Sequence, residues 1–142
     1  MYQRDFILRM IEMLGELIAG ILGKIKKGEY QQASIALENA YYNFLKEDAS
    51  FFRNLNKEEL TEKLLVEHNY THGHLEMLAE LFCAEAELLL AKGNRSGSIA
   101  YFEKALLLFE FVSKDSRSFS LDKQSKIQII MQKIAEANKP SL

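Results

Sequence analysis

A chain of 142 residues with 48% apolar and 27% charged side chains is expected to form one globular domain, 1–142, burying roughly 68% of its unfolded surface. Its formal net charge of −2 provides no basic excess for nucleic acid, and the lone Cys83 excludes an internal disulfide and fits a reducing compartment. Arg4, Asp5, Arg9, Glu12 and Glu16 interrupt the N-terminal stretch, and its longest uncharged run, 17–23, is too short for a bilayer, so signal peptide and membrane span are set aside and a cytoplasmic protein is expected.

The first predicted helix covers residues 3–27. Ile7, Ile11, Leu14, Ile18, Ile21 and Ile25 alternate steps of four and three, a heptad-like seam, with Asp5, Arg9, Glu12, Glu16 and Lys27 opposite. Gly15, Gly20 and Gly23 each cost about 1 kcal/mol against Ala in a helix, which reads as close approach of a neighbouring helix. The run GELIAG has two glycines of a phosphate loop, but Ile21-Leu22 replaces the Lys-Ser/Thr that such a loop needs. A helix lying on a membrane surface is disfavoured because the polar face mixes acids with bases. The length and wide apolar arc of this helix instead suggest a homodimer burying part of the seam Ile7–Ile25.

A second helix follows over Tyr30–Leu45, with Tyr30, Ala33, Leu37, Ala40, Tyr41 and Phe44 inward. In 46–70 the periodicity lapses. Phe51 and Phe52 are placed as core plugs in a short turn. Asn56 followed by Glu59 is a capping-box start for a short helix reaching about Val66.

Thr71 is the expected N-cap of the central helix. Leu75, Leu78, Phe82, Ala86 and Leu89 make one apolar row and Met77, Leu81, Ala84 and Leu88 a second, so this helix is buried on several sides. Glu76, Glu80 and Glu87 share a narrow arc with Cys83 at its edge. Gly93 stops the helix, being free to take the left-handed cap conformation. The returning helix carries Ile99, Phe102, Ala105, Leu106 and Phe109. Ser113–Ser120 reads as a polar loop. Ser120 is the expected cap of a last helix, Leu121 to about Ala137, with Ile127, Ile130, Met131 and Ile134 on one face and Asn138-Lys139-Pro140 as its stop. The fold class is all-α.

Gly93, Ser98, Phe102 and Ala105 stand at the offsets of the second half of a tetratricopeptide repeat, with Ser where the repeat usually has Ala. Gly28-Glu29-Tyr30, Ala33, Leu37 and Ala40 repeat those offsets. The chain thus resembles the tetratricopeptide-repeat family and small bacterial helical proteins of that type. It departs where the family favours Trp, Leu and Gly, positions held by Leu17, Gly20 and Ile21 and by Phe82, Glu85 and Ala86, and it lacks the closing Pro. The resemblance implies a right-handed bundle of two tetratricopeptide-like hairpins plus a short middle helix and a C-terminal helix. It also implies that the first helix of each unit lines a ligand surface: Gly15, Ile18, Leu22 and Ile25 from one, Glu80, Cys83, Glu87 and Leu90 from the other. An apolar stripe beside an acidic one suits a basic amphipathic protein segment. A purely structural role for the same residues, the glutamates solvated and the apolar positions in the core, is the alternative. The last helix, with Lys126 and Lys133 beside its apolar face, is itself such a segment, so it is expected to dock near Glu76, Glu80 and Glu87.

No catalytic constellation emerges, and neither an enzyme nor a cofactor is expected. His68, His72 and His74 form the only histidine cluster and a candidate metal site. In a helix beginning at Thr71, however, His72 and His74 diverge by about 200°. Cys83 lies too far along the same helix from His72 for a nucleophile pair. Glu85 projects into an apolar arc and needs a partner; Lys92 and Arg4 are candidates by polarity. Three classes compete: a non-enzymatic interaction module, a small-ligand or metal-binding protein, and a structural homo-oligomer.

Overall fold

The computed structural model describes residues 2–115 and 121–139, with side chains from 5 and, in the last helix, from 122. The described residues form seven α-helices and no strand: α1 Tyr2–Lys26, α2 Tyr30–Leu45, α3 Ala49–Arg53, α4 Glu62–Glu67, α5 His72–Ala91, α6 Arg95–Asp115 and α7 Leu121–Ala137. None is long and apolar enough to cross a membrane.

Local chemistry sets the turns. Gly28 (φ +78°) closes the α1–α2 turn and Gly93 (φ +86°) the α5–α6 turn, a conformation that a Cβ would strain. Asn94 then caps α6, its Oδ1 accepting the Gly97 N–H at 2.9 Å. At the head of α5, Thr71 Oγ1 accepts the His74 N–H (3.3 Å) and His74 Nδ1 accepts the Thr71 N–H (3.0 Å). This is a capping box with histidine in the usual Glu/Gln role.

Helix α5 is the hub. It packs against α1, α2 and α6, and Leu75, Met77, Leu78, Leu81, Phe82 and Ala86 are fully buried. Helix α7 packs on α6 through Ile127, Ile130 and Ala137. The hairpins α1–α2 and α5–α6 therefore meet through α5, and α7 packs on the outer helix of the second. Between them, α3 inserts Phe52, whose ring stacks on Tyr41 at 5.6 Å. The Tyr70 hydroxyl donates to the Leu45 carbonyl at 2.5 Å, tying the head of α5 to the end of α2.

Five expectations need correction. The seam Ile7–Ile25 faces the bundle: Leu14, Ile21 and Ile25 are buried, and Ile11 and Ile18 pack on the same core. That row is not free to bury a dimer partner. Nor do the α1 glycines mark a close approach. A Cβ on Gly15, Gly20 or Gly23 would meet nothing within 4 Å, whereas one on Gly73 would lie 2.2 Å from Ile7 Cγ2. The isoleucine row takes the inward face, so the glycines of α1 turn away from the bundle. The short helix after Asn56 is two pieces, a 3-10 turn Lys57–Glu59 and then α4. The Asn56 N–H does donate to Glu59 Oε1 at 3.0 Å, but buried Leu60 interrupts the winding. Helix α6 continues through Ser113 to Asp115, because Val112 still packs in the core; Ser120 lies outside the described residues. Met131 points to solvent rather than sharing the docked face of α7.

Candidate helix-binding groove

The acidic stripe of α5 faces α7. Glu76 pairs with Lys123 at 3.5 Å, Glu80 with Lys126 and Glu87 with Lys133. Both sets ascend in the same chain direction, so α5 and α7 run parallel with α6 antiparallel between them. The spacing explains the match: 76, 80 and 87 on one helix and 123, 126 and 133 on the other advance by three or four residues or by whole heptads, keeping one face. Each ammonium of the second and third rungs also lies over an aromatic ring of α6. Lys126 Nζ is 5.7 Å from the Phe109 centroid and Lys133 Nζ 5.9 Å from Phe102. Burial works against the Lys126 charge, yet the hydrogen bond and charge of Glu80 hold its pKa above the ordinary lysine value.

Cys83 sits between the rungs. Glu80, Cys83 and Glu87 of α5, Phe102 and Phe109 of α6, and Lys126, Ile129, Ile130 and Lys133 of α7 line a residual half-open hollow of about 160 Å³. Burial, and then the charges of Glu80 and Glu87, push the Cys83 thiol well above its usual pKa. A thiol so held is a poor nucleophile. The groove is thus apolar at its floor, acidic along one wall, and filled by a basic amphipathic helix. The other residues assigned to a ligand surface are divided. Ile25 is in the core, Ile18 and Leu22 are half-buried on α1, and Gly15 and Leu90 are exposed.

Glu85 is 5% exposed and its partner is Arg53. Arg53 Nε and one terminal nitrogen donate to Glu85 Oε1 at 2.8 and 2.6 Å, and the other terminal nitrogen reaches Glu38 at 3.1 Å. Burial opposes the Arg53 charge, but Glu85 outweighs it and raises the pKa further above the usual range. The guanidinium also lies 5.8 Å from the Tyr41 ring centre. The Tyr41 hydroxyl is buried without a hydrogen-bond partner among the described residues; burial first, and the Glu85 charge second, raise its pKa well above the ordinary tyrosine value. Lys92 is exposed at the far end of α5, and the Arg4 side chain lies outside the described residues. An open hollow of about 570 Å³ lies outside this pair, lined by Glu38, Asn39, Tyr42, Asn43, Asp48 and Ser50 among others.

The histidines do not converge. His72 Nε2 meets Asp115 Oδ2 at 2.6 Å, His74 serves the α5 cap, and His68 sets its ring against Phe51 at 4.9 Å. Among the described residues no three of His, Cys, Asp and Glu are placed to hold a metal ion. The metal set His68, His72 and His74 is therefore corrected to three separate structural roles. Sequence reasoning missed Arg53, whose neighbourhood in 46–70 has no periodicity to reveal its face. Compared with known protein families, with curated proteins and with solved structures, the chain matches none.

Proposed function

We propose that this chain is a non-enzymatic protein-interaction module whose α5–α6 groove receives a basic amphipathic helix. What supports the reading is the groove's own occupant. Three glutamates meet three lysines in register, two of those lysines over aromatic rings, while Ile127 and Ile130 supply the buried apolar contact. A helix-in-groove site is read as apolar anchors at helical spacing with charges that fix register, and α7 supplies both. In this reading α7 is a resident pseudo-ligand, favoured over an external helix by its high effective concentration. The packing of α5 on both helices of the first hairpin favours the tetratricopeptide-like assignment made on the glycine and alanine offsets.

The test is a labelled peptide of residues 121–139 titrated into the full-length chain and into Lys126→Glu/Lys133→Glu, with binding followed by fluorescence anisotropy. The double variant weakens its own α7 and should bind the peptide more tightly than the wild type does. A peptide with the two lysines replaced by glutamate should bind neither. A folded double variant that ignores the native peptide would overturn the reading.

A further inference from the structure

We propose that two copies of the chain pair antiparallel through the outer apolar row of α1. Beside the isoleucine seam runs a second row one residue earlier: Phe6, Met10, Met13, Leu17 and then Gly20, again in steps of four and three. The bundle does not cover it. Phe6 is 59% exposed, Met13 52% and Leu17 38%, Met10 is half-buried, and Gly20 has open space where a Cβ would stand. Three large exposed apolar side chains aligned on one helix are unlike the scattered exposed residues of an ordinary surface.

The pattern identifies the occupant because it is its own complement when read backwards. Place a second α1 antiparallel so that Met10 of one copy lies level with Met13 of the other. Phe6 then lies level with Leu17, and the two-fold axis repeats both layers. The flanking charges obey the same reversal. Arg9 and Glu16, both exposed, precede Met10 and Leu17 on the solvent side of the row. In the antiparallel register they stand about 3 Å apart along the axis, within reach of two long side chains, and the two-fold makes that pair twice. A parallel two-fold would instead put these flanks on opposite sides of the interface, where Arg9 and Glu16 face the isoleucine flank and form no such pair. Beyond Gly20 the row continues as Lys24 and Lys27, which limits the apolar contact to the first half of the helix. The interface is therefore short and belongs to the small, concentration-dependent class.

The experiment is sedimentation equilibrium of the full-length chain from about 5 to 500 μM. The weight-average mass should rise from 16.3 kDa toward twice that value. Leu17→Glu should hold it at the monomer, while Ile35→Glu, on an exposed apolar residue of α2, should leave association unchanged. Arg9→Glu alone and Glu16→Arg alone should each weaken association about tenfold, and an equimolar mixture of the two should recover it. All of these positions are solvent-exposed, so circular dichroism should report an unchanged fold for each variant. A monomer throughout the range, or a dimer indifferent to Leu17→Glu, overturns the proposal and assigns the row to a different partner or to none. Recovery failing in the mixture overturns the antiparallel arrangement.

Discussion

Removing Arg53 should be among the most damaging single changes in this chain, although the residue lies on a five-residue helix and is partly exposed. The Arg53→Ala change strips two hydrogen bonds, at 2.8 and 2.6 Å, from a carboxylate whose side chain is 6% accessible. Breaking a fully buried pair costs about 3–5 kcal/mol because the surviving charge is left without compensation. The Arg53 side chain is 28% accessible, so water reaches the site from its side, and a loss of about 2–4 kcal/mol is the fair expectation. Against a typical domain stability of about 5–15 kcal/mol that is a large share. Replacing both partners, Arg53→Met with Glu85→Leu, should recover most of the loss, since an apolar pair of similar volume avoids desolvating either charge. Urea unfolding followed by circular dichroism measures all three variants, with an unchanged slope confirming that midpoints report stability. If Arg53→Ala costs less than about 1 kcal/mol, or if the double variant loses the sum of the two single losses, Glu85 is not held by Arg53 in the way argued.

Gly73→Ala should destabilise, because its Cβ would fall 2.2 Å from Ile7 Cγ2, whereas Gly15→Ala, with nothing within 4 Å, should stabilise by up to about 1 kcal/mol; thermal midpoints of the pair compare the two signs directly. Burial lowers the His74 pKa, so the unfolded chain takes up that proton first. The His74 contribution is then complete above the ordinary histidine value near 6.5 and falls as pH drops below it, levelling off once pH passes the lowered folded value. Because glutamine keeps a capping-box acceptor and does not titrate, unfolding free energies of wild type and His74→Gln across pH 5–8 should agree at the high end and separate at the low end, wild type losing stability. Deleting 119–142 should expose Phe102, Phe109 and Cys83, raise hydrophobic-dye binding and lower stability; a truncated chain as soluble and stable as the whole would make α7 a mere appendage.

The long helices were legible because their apolar residues keep a strict helical period and their ends carry chemical stops. Thr71 opens α5, and Gly28 and Gly93 sit at the two hairpin turns with positive φ. The docking of α7 on the Glu76, Glu80 and Glu87 stripe was legible for the same reason, since spacing alone puts complementary charges on matching faces. Other features depend on which face of a helix meets a neighbour, and no local pattern records that. The inward isoleucine row and the outward row Phe6–Leu17 are one continuous apolar arc in the sequence; only packing divides them. The glycines of α1 lie outside the contact for that reason, while Gly73, which looked like part of a polar helix start, is the true close approach. The Arg53–Glu85 pair joins residues 32 positions apart through a segment whose short turns obey no period.

Cys83, the chain's only thiol, is a natural reporter beneath α7. Its reaction with a thiol reagent such as DTNB requires the thiolate and an open path. In the native protein the thiol is half-buried beneath α7, and burial together with the charges of Glu80 and Glu87 disfavours the thiolate. The wild-type chain should react far more slowly than the same chain in urea, and Lys126→Glu/Lys133→Glu should react at least about tenfold faster than wild type while keeping its helical circular dichroism, since two lost ion pairs favour an opened α7 by about that factor. A wild-type rate close to that of the unfolded chain, or a double variant no faster than wild type, would contradict the claim that α7 is held in the groove by the lysine–glutamate ladder.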